Sequence, residues 1–262
     1  MNALTVLLTS LMGLFSITGM VPDRVIEKSI RDQIDQVETL AVRTDLDTNH
    51  QLLQGEIQRL RIAARGIYPL AEMRIDTLDV ETDGIDIDVA KLLAGDLVWD
   101  QPFQAAVNMV VIQEDIDQAL RSPSVVKQLE TINTNLLDGL VGGISNATLT
   151  EPVIQLLGND RISLSGTLTE NQTNERLVIE FSTGLAIADG TQLRFIEPEL
   201  TANDVAVPST LVSEFINGFT QAYTLKILEN QGITARLLNL EITDESISVA
   251  SFVRLESVES ND

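Results

Sequence analysis

Along most of the chain, apolar and polar residues alternate with a period of two, the pattern of half-buried β-strands. Leu60, Ile62 and Ala64 alternate with Arg59 and Arg61, and Met73 and Ile75 with Arg74 and Asp76. Leu78 and Val80 continue out of phase, which predicts a bulge near Thr77. The turn signal Asp83-Gly84 precedes Ile85, Ile87 and Val89, and Phe103, Ala105, Val107, Met109 and Val111 form a further run. Later strands are predicted over 153–157, 162–168, 177–187, 193–196, 233–242 and 247–253, with turns at Asn159-Asp160 and Asp189-Gly190. Acids dominate the outward positions, as on antiparallel sheets with one face in water.

A helical period interrupts this pattern four times. Ile26, Ile30, Ile34 and Val37 share one face, opposite Glu27, Arg31, Asp35 and Glu38. A short helix over 115–120 is closed by Ser122-Pro123, because the residue before proline is pushed out of helical geometry. Over 124–140, Val125, Val126, Leu129, Ile132, Leu136, Leu137 and Leu140 form a wide apolar stripe. Gly139, Gly142 and Gly143 end it. Pro208 opens the last helix, over 209–230, whose apolar residues are Leu211, Val212, Phe215, Ile216, Phe219, Ala222, Tyr223 and Ile227. The order is helix, strands, helix, strands, helix, strands, without βαβ alternation, so the expected class is α+β with antiparallel sheet. A single α+β domain is expected over 23–256, after an apolar segment 1–22 and before a loose tail 257–262.

Charge sharpens the picture of that first segment. Met1 to Pro22 contain no ionisable side chain, whereas all 39 acids and all 17 Lys and Arg follow. The segment is about long enough to cross the hydrocarbon layer as a helix. Three readings fit it. A secretory signal would begin with Lys or Arg, where this chain has Asn2 and Ala3. A membrane anchor or interfacial helix fits the length, although Thr5, Thr9, Ser10, Gly13, Ser16, Thr18 and Gly19 dilute its apolar character. An apolar helix buried against the body is the third. The net charge of −22 opposes nucleic acid, whose binding rests on Lys and Arg neutralising phosphate, and so excludes that class of partner. It equally opposes adhesion to anionic bilayers. Contact with a membrane would therefore run through apolar surface.

Little in the chain points to catalysis or metal. There is no Cys, which removes disulfides, thiolate sites and thiol nucleophiles, and no cofactor is expected. His50 is the single histidine, and no nucleophile elbow surrounds it. Asp45, Asp47, Asn49 and Glu56 match positions 1, 3, 5 and 12 of a calcium loop, but His50 stands where the sharp turn needs glycine. A carboxylate-based hydrolase would need two carboxylates converging in a cleft, one of them desolvated.

The wide stripes of the two longer helices are almost wholly aliphatic, in a chain with only 4% aromatic residues. Aliphatic walls suit acyl chains: at ~0.8 kcal/mol per buried CH₂, a long tail gives on the order of 10 kcal/mol gross. The candidate lining residues are Val125, Val126, Leu129, Ile132, Leu136, Leu211, Phe215, Phe219 and Tyr223. The alternative is that these stripes are filled core in a structural or interaction protein.

Several short stretches also carry a resemblance. Leu52-Leu53-Gln54-Gly55 is followed by Ile62-Ala63-Ala64-Arg65-Gly66 and Tyr68-Pro69-Leu70. Pro102-Phe103-Gln104-Ala105 leads to Asp115-Ile116-Asp117 and Leu120-Arg121-Ser122-Pro123. As an ordered set these resemble the LmeA-like phospholipid-binding family, in its cyanobacterial branch. The resemblance implies a tubular lipid-binding-like fold, in which a curved antiparallel sheet wraps long apolar helices around a tunnel. It also implies a phospholipid or other acyl lipid as partner, an envelope location and no catalytic residues. Asp115 and Ser122-Pro123 match the family at a helix entry and break, while Asp117 stands where the family is expected to carry Asn. The segment 1–22 would then hold the domain at a membrane.

Overall fold

The computed structural model describes residues 36–45, 55–70, 72–86, 99–122, 147–170 and 175–257, together with Glu27, Arg31, Ile34 and Val125. Of these residues, 65% lie in strands and 18% in helices. That proportion overturns the expected sheet wrapped around long apolar helices. The described residues contain two α-helices, α1 (Gln113–Leu120) and α2 (Ser209–Ala222), of 8 and 14 residues.

The strands are β1 (Gln36–Asp45), β2 (Glu56–Ile57), β3 (Arg59–Leu70), β4 (Met73–Thr82), β5 (Ile85–Asp86) and β6 (Phe103–Ile112) before α1. Between the two helices come β7 (Ala147–Gly158), β8 (Arg161–Glu170), β9 (Arg176–Ala188), β10 (Gln192–Ala202) and β11 (Val205–Ala206). A 3₁₀ helix, Leu225–Gln231, then precedes β12 (Ile233–Ile242) and β13 (Ser246–Leu255). The sheets have the orders β1-β3-β4-β6-β13-β12, β11-β10-β9-β8-β7 and β2-β5. Contacts divide the chain into two compact units, one of Met1–Val110, Leu225–Leu238 and Val249–Asp262, the other of Val111–Thr224 and Asn239–Ser248.

In the first unit, β1, β3 and β4 pair antiparallel, and their buried residues form matched rows. Leu40, Ala64 and Leu78 make one row; Val37, Ile67 and Ile75 make the next. The buried phase changes between these rows on all three strands at once. The expected bulge near Thr77 is therefore corrected, because pairing runs unbroken through Arg65↔Thr77 to Ile67↔Ile75 and the register shift lies between Ile67 and Leu70. Gly66 sits at this shared break with φ +56°. It has no side chain, and the Glu38 carboxyl group occupies the place a Cβ would take. From there Glu38 accepts from Arg74 Nε at 3.0 Å and Nη2 at 3.3 Å, while Arg74 Nη1 reaches Asp76 at 3.2 Å.

The helix expected through Val37 is corrected as well. Glu27 and Arg31 are helical and paired at 2.9 Å, but Val37 is buried within β1. Val37, Thr39, Val42 and Thr44 are β-branched, and their packing on a pleated surface outweighs the helical spacing of the isoleucines before them.

The five-stranded sheet belongs to the second unit and is antiparallel throughout. One face carries Leu149, Leu164, Leu168, Ile179, Phe181 and Leu200. α2 covers part of it, seating Val212, Phe215 and Ile216 against Phe181 and Leu200. The helix expected over 209–230 stops at Ala222, and Tyr223 is non-helical (φ −117°, ψ 66°). In the following 3₁₀ helix Leu225 and Leu228 are buried while Ile227 is 53% exposed, so the apolar stripe does not continue through it. The other expected stripe, over 124–140, lies outside the described residues except for Val125, which is helical.

Gly66→Ala tests the shared break. An added Cβ both strains the positive φ and expels Glu38 from its place beside Arg74, so the loss should be about 1–3 kcal/mol. Denaturant unfolding measures it; an unchanged midpoint would show that Glu38 is free to leave at no cost.

Candidate functional site

The site is built where α1 meets β7. β7 ends the five-stranded sheet, so among the described residues one edge of its backbone has no strand partner. The side chain of Gln113, the first residue of α1, takes that place. Its Nε2 donates to Ile154 O at 2.8 Å, and its Oε1 accepts from Leu156 N at 2.8 Å. These are the bonds a parallel neighbouring strand would make opposite Gln155. The Gln113 backbone N–H donates to Glu245 O at 2.8 Å, which fixes the start of the helix.

Just before this contact, the β7–β8 register shifts between Thr150 and Val153. Glu151 has φ +53° and is followed by Pro152. A residue before proline favours extended geometry, so a positive φ there is strained. Pro152 also has no N–H for a ladder, which suits a bulge in an edge strand.

A cleft of about 620 Å³ opens between the bulge and the end of α1. Leu120, Leu149, Pro152 and Val153 give it apolar walls. Asp117, Arg121, Thr150 and Glu151 give it polar groups. Leu120 and Leu149 are buried core residues, whereas Val153 is 42% exposed. The volume falls inside the ~300–1,000 Å³ typical of small-molecule sites. Thr150 Oγ1 donates to Thr167 O at 3.1 Å, and Asp117 Oδ1 accepts from Gln113 Nε2 at 2.8 Å.

Arg121 differs from most of the described arginines. Asp117 lies four residues earlier on the same helix, the ordinary spacing for an ion pair. Among the described residues, Arg31, Arg59, Arg61, Arg65, Arg74, Arg161, Arg236 and Arg254 each have a carboxylate within 4.0 Å. Among those same residues Arg43, Arg121, Arg176 and Arg194 have none, and of these four Arg121 borders the cleft.

Of the nine residues expected to line a cavity, the five described ones, Val125, Leu211, Phe215, Phe219 and Tyr223, do not border this cleft. Phe215 packs edge-on against Phe181 with ring centroids 6.3 Å apart. Phe219 lies 5.6 Å from Phe195 and 4.5 Å from Tyr223. Leu211 is half-buried on α2. Val125 is half-buried, and its N–H donates to Ser122 Oγ at 3.5 Å, the contact of a helix-capping serine. Val126, Leu129, Ile132 and Leu136 lie outside the described residues. Glu151-Pro152 inside an alternating run was the available signal for a bulge, and Leu120-Arg121 lay within the family-like stretch.

Of the calcium-loop residues, Asp47, Asn49 and His50 lie outside the described residues, and Asp45 pairs with Arg61 at 3.1 Å. Among the described residues no three acidic or histidine groups gather as metal ligands. In the cleft, Glu151 is exposed and Asp117 is half-buried and engaged by Gln113, so the two do not form a desolvated pair.

Gln113→Glu should damage this arrangement more than its size suggests. It removes the donor for Ile154 O and sets a second carboxylate against Asp117, with an expected cost of about 1–3 kcal/mol. Thermal unfolding with light scattering should show a lower midpoint and earlier aggregation from the unmasked β7 edge. Unchanged values for both would mean that Gln113 does not protect it.

The model of the LmeA-like phospholipid-binding family matches residues 18–252. Neither a curated protein nor a solved structure matches the chain. The match takes in both compact units, every described strand from β1 to β12 and most of β13. On that extent, the chain belongs to the LmeA-like phospholipid-binding family.

Proposed function

We propose that the protein binds a phospholipid or similar acyl lipid in an apolar cavity and carries it at a membrane, without chemical turnover. The observation that supports this reading best is the cleft beside α1. Its lining combines the apolar Leu120, Leu149, Pro152 and Val153 with the polar Asp117, Arg121, Thr150 and Glu151. An amphiphile needs both kinds of surface.

The apolar segment 1–22 would hold the domain at the membrane, within the cell envelope. It lies outside the described residues, and the argument for it is its lack of charge beside an acidic body. Among the described residues no helix is long and apolar enough to cross a membrane. A second reading, an envelope interaction protein with a filled core, draws on α2. Its Val212, Phe215 and Ile216 are packed against Phe181 and Leu200 of the sheet.

Mass spectrometry of lipid co-purifying with the full-length protein separates the two readings. Acyl lipid should be recovered at about one per protein and should move between vesicles. Val153→Glu places a charge on the exposed wall of the cleft and should lower lipid recovery by roughly tenfold or more. Val153 is partly in water, so thermal stability should change little. Absence of both stoichiometric lipid and vesicle exchange would leave the filled-core reading.

A further inference from the structure

The geometry points to Arg121 as the group that receives the phosphate of the bound lipid's headgroup, an assignment that rests on the lipid-binding reading above. Three observations converge on it. First, Arg121 lines a cleft together with the apolar Leu120, Leu149, Pro152 and Val153, so an amphiphile seated against those residues has the guanidinium within the same lining. Second, the natural competitor for that guanidinium is drawn away. Asp117 accepts from Gln113 Nε2 at 2.8 Å, and Gln113 is itself fixed by Ile154 and Leu156 of the sheet edge. Third, eight arginines of the described residues are ion-paired, and of the four that are not, Arg43, Arg121, Arg176 and Arg194, it is Arg121 that lines the cleft. An arginine left open beside an apolar cleft is suited to a phosphate, since its planar fork can donate two parallel hydrogen bonds.

The position at the end of α1 offers a competing role. A cation there complements the partial negative charge of the helix C-terminus. That role needs only charge, so lysine would serve it. Phosphate recognition needs the fork. Glu151, also on the cleft, carries a charge that opposes a phosphate, and removing that charge should help binding.

The test measures binding of the full-length protein to vesicles of neutral carrier lipid doped with either a diacyl phospholipid or the matching diacylglycerol. Inorganic phosphate alone is titrated in parallel. Arg121→Gln should weaken phospholipid binding by about tenfold or more and leave diacylglycerol binding unchanged. Arg121→Lys should keep the thermal midpoint and recover only part of the affinity. Glu151→Gln should strengthen phospholipid binding a few-fold.

Equal effects of Arg121→Gln on both lipids, or none on either, would overturn the assignment and leave lipid binding standing. Failure of the unmodified protein to bind any lipid would overturn both. A response to inorganic phosphate that depends on Arg121, without one to the phospholipid, would make this a site for free phosphate and overturn the headgroup assignment.

Discussion

The candidate site depends on how the open edge of β7 is closed. A terminal strand exposes a row of N–H and C=O groups, which must find partners or recruit another chain. Here one amide side chain supplies both a donor and an acceptor to that row. Because Gln113 begins α1, the same two bonds set the helix against the strand and fix where its last turn lies. From that position Leu120 and Arg121 line the cleft beside the bulge. The second hydrogen of the Gln113 amide also engages Asp117. A single residue thus closes the sheet, places the helix and occupies the acid that would otherwise neutralise the cleft's arginine.

The sheet of the first unit handles charge differently. Its outer surface sets Arg43 opposite Arg61, an unfavourable like-charge pair, but Arg61 turns toward Asp45 at 3.1 Å and Glu81 at 3.6 Å. Arg65 makes two bonds to Asp79, at 2.7 and 3.3 Å. These groups are roughly 40–50% exposed, so each pair contributes only ~0–1 kcal/mol. Stability in this region therefore comes from the matched buried rows beneath. The ion pairs instead leave Arg59, Arg61, Arg65 and Arg74 with little capacity to attract an anion.

Much of the strand pattern was legible because a period of two survives wherever one face is buried and the other wet. β3, β6, β8 and β12 lie where strands are expected, and Asn159-Asp160 and Asp189-Gly190 are turns with positive φ at Asn159, Asp160, Asp189 and Gly190. Three features were misread for identifiable reasons. Val37 fits both a helical stripe and a strand, and only pairing with Ile67 decides it. The phase change at Thr77 looked like one strand's bulge, because a sequence does not display that β1 and β3 change phase with β4. The stripe through Ile227 continued on paper, while the backbone turned out of the helix at Tyr223. The cleft was the least legible. It joins residues about thirty positions apart, through a side-chain amide that no periodicity marks.

The acidity of the whole molecule and a phosphate at Arg121 are compatible because the two act over different distances. At physiological ionic strength exposed charges are largely screened beyond about 8 Å. The net charge of −22 therefore repels an anionic bilayer as a surface but contributes little to a phosphate already seated in the cleft. What such a phosphate meets is local: one open guanidinium, one carboxylate engaged by Gln113 and one exposed carboxylate on Glu151. Attraction and repulsion there are close in size, so the charged groups would orient a headgroup more than they would supply affinity. Affinity would come from apolar burial, at ~25 cal/mol per Å² removed from water. Encounter with the membrane would then rely on uncharged surface. The segment 1–22 is the one long stretch of the chain without an ionisable side chain, and placing it at the bilayer answers the repulsion that the acidic body creates.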